Sequence, residues 1–450
     1  MKVVLISTYE LGRQPFGLAS PAAWLRGAGA EVACLDLSRE PLDEDAIRLA
    51  GLVAFYVPMH TATRLAARLA ARVRNLNPAA HLCFYGLYAP MNEAFLRQAG
   101  GQTILGGEFE AGLLNLFERL RQGQNGPQRE PVISLARLRF VTPDRAGLVP
   151  LEEYARLRTG DGGSRTVGYT EASRGCKHLC RHCPIVPVYQ GRFRVVEREV
   201  VLEDIRRQVA AGARHITFGD PDFFNGVGHA VAVVRRLHEE HPALTYDVTI
   251  KIEHLLRHSK HLATLRETGC VFVTSAVESV DDRVLALLDK GHTRADFLAA
   301  VRLSREAHLT LAPTFVTFTP WTTLEGYREL LALLAGLEVV ANVAPIQLAI
   351  RLLIPAGSRL LELPEVLRIV GPFDPAALSF RWEHPDPRMD RLCRDLQALV
   401  QRAEGRRESR VEIFGQVWRL AQDDAAAPLP DTSGLVDRAA IPYINEPWYC

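Results

Sequence analysis

Charge of one sign is missing from this sequence. Its 53 Lys and Arg stand against 52 Asp and Glu, a formal net charge of +1. No global field draws the chain to nucleic acid or to an anionic membrane, and nucleic acid is not an expected partner. Long hydrophobic runs are missing too. The most apolar stretch, 330–354, is broken by Glu338, Asn342, Gln347 and Arg351, which excludes a membrane-spanning helix there. The N-terminus reads MKVVLISTYELG, a lysine and a short apolar run. Glu10, Arg13 and the lack of a small-residue cleavage site argue against a signal peptide. A first buried strand and a cytoplasmic location are the expectation. A disulfide framework is absent as well, because eight cysteines in 450 residues are too sparse for one. No internal tandem repeat is visible.

What is present is enough chain for two or three domains, with 48% hydrophobic residues to build their cores. Strand and helix patterns alternate through the first part. VVLIS (3–7), EVACLDL (31–37), GLVAFYVPM (51–59), HLCFYG (81–86) and TILGG (103–107) read as strands, with helices at 18–28, 61–75 and 110–121. This order predicts an α/β fold whose residues 1–125 form a doubly wound, flavodoxin-like domain. Ligands of such sheets lie beyond the strand ends, which here carry Ser7-Thr8-Tyr9, His60, Gly86-Leu87 and Gly106-Gly107-Glu108. Residues 126–165 read as a linker. A second series follows over 166–365, with strands at 166–173, 215–220, 246–252, 270–278, 311–318 and 346–353. Six βα units predict a partial (βα)6 barrel with its chemistry at the C-terminal strand ends. Residues 366–450 read as a mostly helical or irregular segment with a helix over 390–401.

Three of the eight cysteines fall together, directly after the first barrel strand: Cys176-Lys177-His178-Leu179-Cys180-Arg181-His182-Cys183. Three thiolates on one loop can hold three irons of a [4Fe–4S] cube and leave the fourth open. Most such clusters take four cysteines, so the count of three is informative. A Cys3His zinc site through His178 or His182 stays open as an alternative.

The spacing C-x3-C-x2-C at this place resembles the radical S-adenosylmethionine (SAM) superfamily. The resemblance covers about 166–365. It implies a [4Fe–4S] cluster on Cys176, Cys180 and Cys183, SAM on the open iron, and a low-potential electron donor such as a flavodoxin, ferredoxin or rubredoxin-like protein. His182 stands where the family usually has an aromatic residue. Gly219-Asp220-Pro221 sits where the family has a Gly-Gly-Glu motif that meets the SAM amino group, with a simple turn as the alternative. Glu278-Ser279 resembles a Glu-Ser element that reaches the SAM ribose or amino group, with a buried, satisfied glutamate as the alternative. Lys251 and Arg351 are further SAM candidates, and Arg351 equally suits an interdomain salt bridge.

A doubly wound domain ahead of such a barrel resembles the cobalamin-binding class of the superfamily. That implies cobalamin between the two strand-end faces, near Ser7, Thr8, Tyr9, His60, Gly86, Leu87, Gly106, Gly107 and Glu108. The family's Asp-x-His-x-x-Gly signature is absent, and a domain without cofactor stays open. The tail, ending Trp448-Tyr449-Cys450, resembles radical SAM proteins named for the ending Cys-Sec-Ala-Glu-Pro or Cys-Cys-Ala-Glu-Pro. It implies a UGA selenocysteine codon after Cys450, and a catalytic or metalloid-binding role for that thiol. A passive terminal thiol is the alternative.

The expected activity is therefore radical SAM chemistry on a small molecule, with cobalamin-dependent methyl transfer or rearrangement as its form. Two rivals stand beside it. One is a methylthiotransferase-like RNA modification, weakened because only Cys34 and Cys83 precede the barrel. The other is a non-enzymatic metal or metalloid carrier.

Overall fold

The computed structural model describes residues 1–159, 162–422, 428–432 and 435. The N-terminal sheet holds β1 (Lys2–Ser7), β2 (Glu31–Asp36), β3 (Ala50–Tyr56), β4 (His81–Tyr85), β5 (Thr103–Gly107) and β6 (Ile133–Ser134). All neighbours are parallel, in the order β2-β1-β3-β4-β5-β6. This is the flavodoxin-like order, whose switch point lies between β1 and β3. Alternation along β1 explains why both faces are covered. Val3 and Leu5 enter one core with Leu18 and Leu113, while Val4 and Ile6 enter the other with Ala66 and Val73. The helix His60–Leu76 buries Ala62, Ala66, Ala70 and Val73, a helical spacing that leaves Arg68, Arg72 and Arg74 exposed. The stretch expected to be a linker does more than link, since β6 within it closes the edge of this sheet.

The second sheet holds β7 (Arg156–Arg158), β8 (Ser164–Thr170), β11 (His215–Phe218), β12 (Thr245–Thr249), β13 (Cys270–Glu278) and β14 (Thr310–Phe315). Between β8 and β11 lies a small antiparallel hairpin of β9 (Ser173–Gly175) and β10 (Phe193–Val195). The sheet order is β14-β13-β12-β11-β8-β7. Five strands are parallel, and β7 pairs antiparallel at the edge. It is the curled half-barrel expected of the chain.

Its sixth unit is present only in outline. The apolar run at 346–353 starts as a 3-10 turn, Pro345–Leu348, and forms no strand of the sheet, only an isolated parallel bridge between Arg351 and Phe318, just beyond β14. Pro345 lacks an N–H for the ladder and suits a turn start, and an apolar run alone does not separate a strand from buried turns. The C-terminal segment holds a hairpin the sequence pattern did not show, β15 (Val370–Asp374) with β16 (Ser379–Trp382). The helix expected at 390–401 is longer, Pro387–Gly405, and starts on an Asp386 cap. Among the described residues no helix is long and apolar enough to cross a membrane.

Candidate active site

The C-terminal ends of the two sheets face one another across a cavity of about 480 Å³. The N-terminal domain contributes the loops after β1 (Glu10, Leu11, Arg13) and β3 (Pro58 to Thr61), either side of its switch point, with Leu87, Gly107 and Phe109 beyond. The half-barrel contributes the inward residues of β8 and β11 to β14, and all three clustered cysteines.

The cysteine loop begins at Gly175, at φ 72°. A Cβ there would meet Tyr189 Cδ1 at 2.4 Å and Arg192 O at 2.5 Å, so only glycine lets the hairpin turn into the loop. The loop is then clamped from three sides. Arg181 N–H donates to Leu288 O (2.9 Å), Arg359 Nη1 donates to Leu179 O (2.7 Å), and Lys177 Nζ donates to Asn225 O (2.8 Å). Burial pushes the Cys183 thiol up to about 12, with Cys180 beside it adding to the shift. Burial also raises Cys176. Such thiols ionise readily only against a metal, which is the donor chemistry of a cluster site. Cys34, Cys83, Cys270 and Cys393 are buried elsewhere and do not line the cavity.

The two histidines of the loop part company. His182 Nε2 lies 3.2 Å from Glu278 Oε1, and Lys290 Nζ meets the same oxygen at 3.2 Å. Burial opposes ionisation of Glu278, but Lys290 and then His182 outweigh it and hold the carboxyl down to about 2. His178 turns the other way, 3.6 Å from Asp222 Oδ2, which His254 Nδ1 approaches to 2.6 Å. Cys176, His178 and Asp222 present ligand atoms within 4.8 Å of one another, the one such grouping among the described residues.

The expected SAM residues divide. His182, Gly219, Asp220, Pro221, Lys251 and Glu278 all line the cavity. Asp220 accepts from Ser173 Oγ (2.6 Å) and Ala172 N–H (2.9 Å), tying β11 to the cysteine hairpin. Burial nevertheless lifts its pKa to about 7. Gly219 is packed, since a Cβ there would fall 1.7 Å from Tyr169 Oη. Ser279 does not line the cavity, and its Oγ accepts from Asp281 N–H. Arg351 is elsewhere too. Its guanidinium pairs with Asp390 (2.5 Å), donates to Trp382 O (2.6 Å) and lies 3.6 Å above the Trp382 ring. It fastens the C-terminal hairpin and helix to the barrel edge, the structural alternative left open for it.

The N-terminal candidates divide as well. His60, Leu87 and Gly107 line the cavity. His60 Nε2 is in a short contact with Ala377 O, from the turn between β15 and β16. Ser7, Thr8, Tyr9, Gly86, Gly106 and Glu108 do not line it. Thr8 Oγ1 donates to Ala62 O (3.0 Å), and Glu108 faces Arg174 (3.4 Å) beneath the surface. The loop after β1 reaches the cavity three residues later than expected, through Glu10, Leu11 and Arg13. Glu10 is 5% exposed and its Oε2 has no hydrogen-bond partner among the described residues. Arg13 lies 4.3 Å over the Tyr169 ring. Cys450 lies outside the described residues.

Lys290 was not among the expected site residues, although a signal was there. The chain has five lysines, and two of them, Lys251 and Lys290, line this cavity. Glu10, Glu171 and Asp247 carried no local signal. A carboxylate between strand residues looks the same whether it faces solvent or a cavity.

Residues 170–334 match the Radical SAM superfamily model, so the chain carries a domain of that superfamily. Among solved structures, the chain is similar to the radical S-adenosylmethionine methyltransferase TsrM from Kitasatospora setae, with TM-score 0.66, 18% identity and 89% of each chain covered. It is also similar to the cobalamin-dependent S-adenosylmethionine radical enzyme OxsB, with TM-score 0.67 and 13% identity over 90% of this chain and 67% of that one. At these identities the likeness is one of fold. Curated relatives include tRNA-2-methylthio-N(6)-dimethylallyladenosine synthases. That of Desulfosudis oleivorans is 24% identical over 201 residues, 41% of this chain and 41% of the relative. That of Porphyromonas gingivalis is 28% identical over 164 residues, 32% of this chain and 33% of the relative. The chain thus spans about two fifths or less of the length of these two relatives.

Proposed function

We propose that this chain is a radical SAM enzyme that holds a [4Fe–4S] cluster on Cys176, Cys180 and Cys183, binds SAM beside it, and carries cobalamin against the N-terminal strand ends. The observation that carries the reading is the joint cavity, with the three thiols on the barrel side and the β1/β3 switch point opposite. The residues fit the groups. No fourth described cysteine reaches the cavity, which suits a cube held by three thiolates. Leu11, Tyr56, Met59, Leu87 and Phe109 give the opposite wall an apolar, partly aromatic character suited to a flat macrocycle. TsrM has been solved with cobalamin and a [4Fe–4S] cluster, and OxsB with aqua-cobalamin and SAM.

When bound, the reduced cluster supplies the electron that splits SAM into methionine and a 5′-deoxyadenosyl radical, and cobalamin supplies a methyl carrier. The chain's own residues supply position and charge. Lys290 and His182 keep Glu278 ionised at the β13 end, ready to accept from the SAM ribose or amino group. Lys251, 3.7 Å from Glu253, offers a cation for the SAM carboxylate. Asp220 locks the β11 loop to the cysteine hairpin, and the N-terminal domain covers the barrel mouth against water. A low-potential electron donor and a small-molecule substrate complete the reading.

The methylthiotransferase alternative is less well supported. Cys34 and Cys83 are both buried in one core of the N-terminal domain, so no second trio of thiols meets the cavity among the described residues. Anaerobic reconstitution tests the proposal. About four iron and four sulfide per chain, and 5′-deoxyadenosine on reduction with SAM, are expected. Both vanish in the Cys176→Ala/Cys180→Ala/Cys183→Ala variant. One zinc per chain, held with His178 and Asp222, and no SAM cleavage would sink the proposal. Retention of hydroxocobalamin through gel filtration, seen in the visible spectrum, tests the N-terminal half separately.

A further inference from the structure

Beneath the residues assigned to the cluster and SAM, the barrel interior is polar. Residues two apart on a strand share a face, so Asp247, Thr249 and Lys251 climb one inner wall in steps toward the mouth. Phe272, Thr274 and Glu278 share the inner face of β13. Register aligns these walls into layers. Thr217, Asp247 and Phe272 lie side by side, and Thr249 pairs with Thr274 one layer higher. The interior of a closed eight-stranded barrel is filled mainly by branched apolar side chains. Here hydroxyls and a carboxylate stand in their place.

Asp247 is half satisfied. His215 Nε2 lies 2.8 Å from its Oδ1, and Thr217 Oγ1 donates to the same oxygen at 2.7 Å. Against a carboxylate the ring can only donate, so Nε2 carries the hydrogen. Asp247 Oδ2 receives no hydrogen bond among the described residues, although Asp247 is 6% exposed and lines the cavity. The half-buried hydroxyls of Thr249, Thr274 and Thr314 line it as well and make no side-chain hydrogen bond among those residues. Gln347, at 1% exposure, accepts from Phe315 N–H on its Oε1 (2.9 Å) and leaves Nε2 without a partner among the described residues. The lysines of the interior face other carboxylates than Asp247, Lys251 facing Glu253 at 3.7 Å and Lys290 facing Glu278 at 3.2 Å.

A carboxylate oxygen left open in a low-dielectric chamber calls for a charged donor. One carboxylate among hydroxyls is too few hard ligands for a divalent cation. It matches an ammonium, which has three donors to share between Asp247 Oδ2 and threonine oxygens. We propose that this chamber is the substrate pocket, and that it takes a small hydroxyl-bearing primary amine anchored by Asp247. The assignment rests on the radical SAM reading for what happens above it, but the pocket itself is tested by binding alone.

The probes are glucosamine, glucose and gluconate, compared by saturation-transfer NMR on the reconstituted protein with SAM. Glucosamine is expected to bind at least tenfold more tightly than glucose, and gluconate not at all. Asp247→Asn should abolish the preference. Thr274→Val, which leaves the His215–Asp247 pair intact, should weaken glucosamine and spare the melting temperature. Equal binding of glucosamine and glucose overturns the proposal, as does an unchanged preference in Asp247→Asn. So does a preference lost in Glu10→Gln but kept in Asp247→Asn, which moves the amine to the domain rim. The 5′-deoxyadenosine formed without any probe is measured on the same sample. Amine selectivity that depends on Asp247 without SAM cleavage supports the pocket and sinks the radical reading.

Discussion

Arg174 Nη1 lies 2.7 Å from Glu110 Oε1, a buried ion pair that joins the cysteine hairpin of one domain to the helix after β5 of the other. The same guanidinium meets Glu171 at 2.7 Å and Glu108 at 3.4 Å. Burial lifts Glu108 to about 7, and Arg174 is the largest opposing influence. Three acids therefore depend on one arginine, two residues before Cys176.

Removing that arginine leaves buried carboxylates without a counter-charge. Arg174→Ala is expected to cost about 3–5 kcal/mol, the range for breaking a buried pair from one side. Arg174→Lys keeps the charge and loses the forked geometry, so an intermediate loss is expected. Urea denaturation of the cluster-free protein measures both. Iron content after reconstitution should fall in the same order, because the hairpin presents Cys176.

Gly219 is held against Tyr169 so closely that a methyl group has no room, with the Oη at 1.7 Å and Cζ at 2.1 Å from a built Cβ. Gly219→Ala must push the ring aside, at about 1–3 kcal/mol. The ring also lies under Arg13, so the strain reaches the loop after β1. Tyr169→Ala opens the space. The double variant should then be more stable than the sum of the two single losses predicts, with a coupling of about 1 kcal/mol or more. Additive losses would show that Tyr169 does not make this contact.

Much of this was legible in the sequence, for a physical reason. Buried parallel strands need continuous apolar runs, so VVLIS and HLCFY announced themselves, and the flavodoxin-like order followed from alternation. Cys176, Cys180 and Cys183 were legible because three thiols within eight residues lie on one short loop whatever the rest of the fold does. Residues that meet only through tertiary structure were harder. Glu10 and Asp247 share no sequence neighbourhood, and nothing local distinguishes them from surface acids. Arg351 was misplaced for the converse reason. Its position beside an apparent strand end suited a ligand, while its partners Asp390 and Trp382 come from a segment whose packing the pattern did not show. The run 346–353 read as a strand because hydrophobicity reports burial before it reports conformation.

Glu278 offers a test of the SAM assignment. Glu278→Gln keeps the size and loses the charge that Lys290 and His182 face. One charge-assisted hydrogen bond is worth about 1.5–3 kcal/mol, so SAM affinity should fall about ten- to a hundredfold. Equilibrium dialysis with the reconstituted protein reads this directly. Iron content should stay constant, which separates a loss of SAM contact from a loss of cluster. Unchanged affinity would remove Glu278 from the SAM site.

Glu10 should make stability depend on pH in a particular direction. Burial pushes its carboxyl from the ordinary 4.5 up to about 8; Arg13 pulls it down, and Glu171 and Asp36 push it further up. The folded state then binds this proton more tightly than the unfolded chain does. The stability from that proton is full below the unfolded value and is lost as pH rises through the folded one. Glu10→Gln keeps the shape and cannot ionise. Relative to wild type, the variant should therefore gain stability steadily between pH 4.5 and about 8 and level off above that. The gain has a ceiling of about 1.4 kcal/mol per pH unit for one proton. Urea denaturation of the cluster-free proteins across this range measures the difference. A flat difference would mean that Glu10 already carries its charge at neutral pH, and that a donor from across the cavity compensates it.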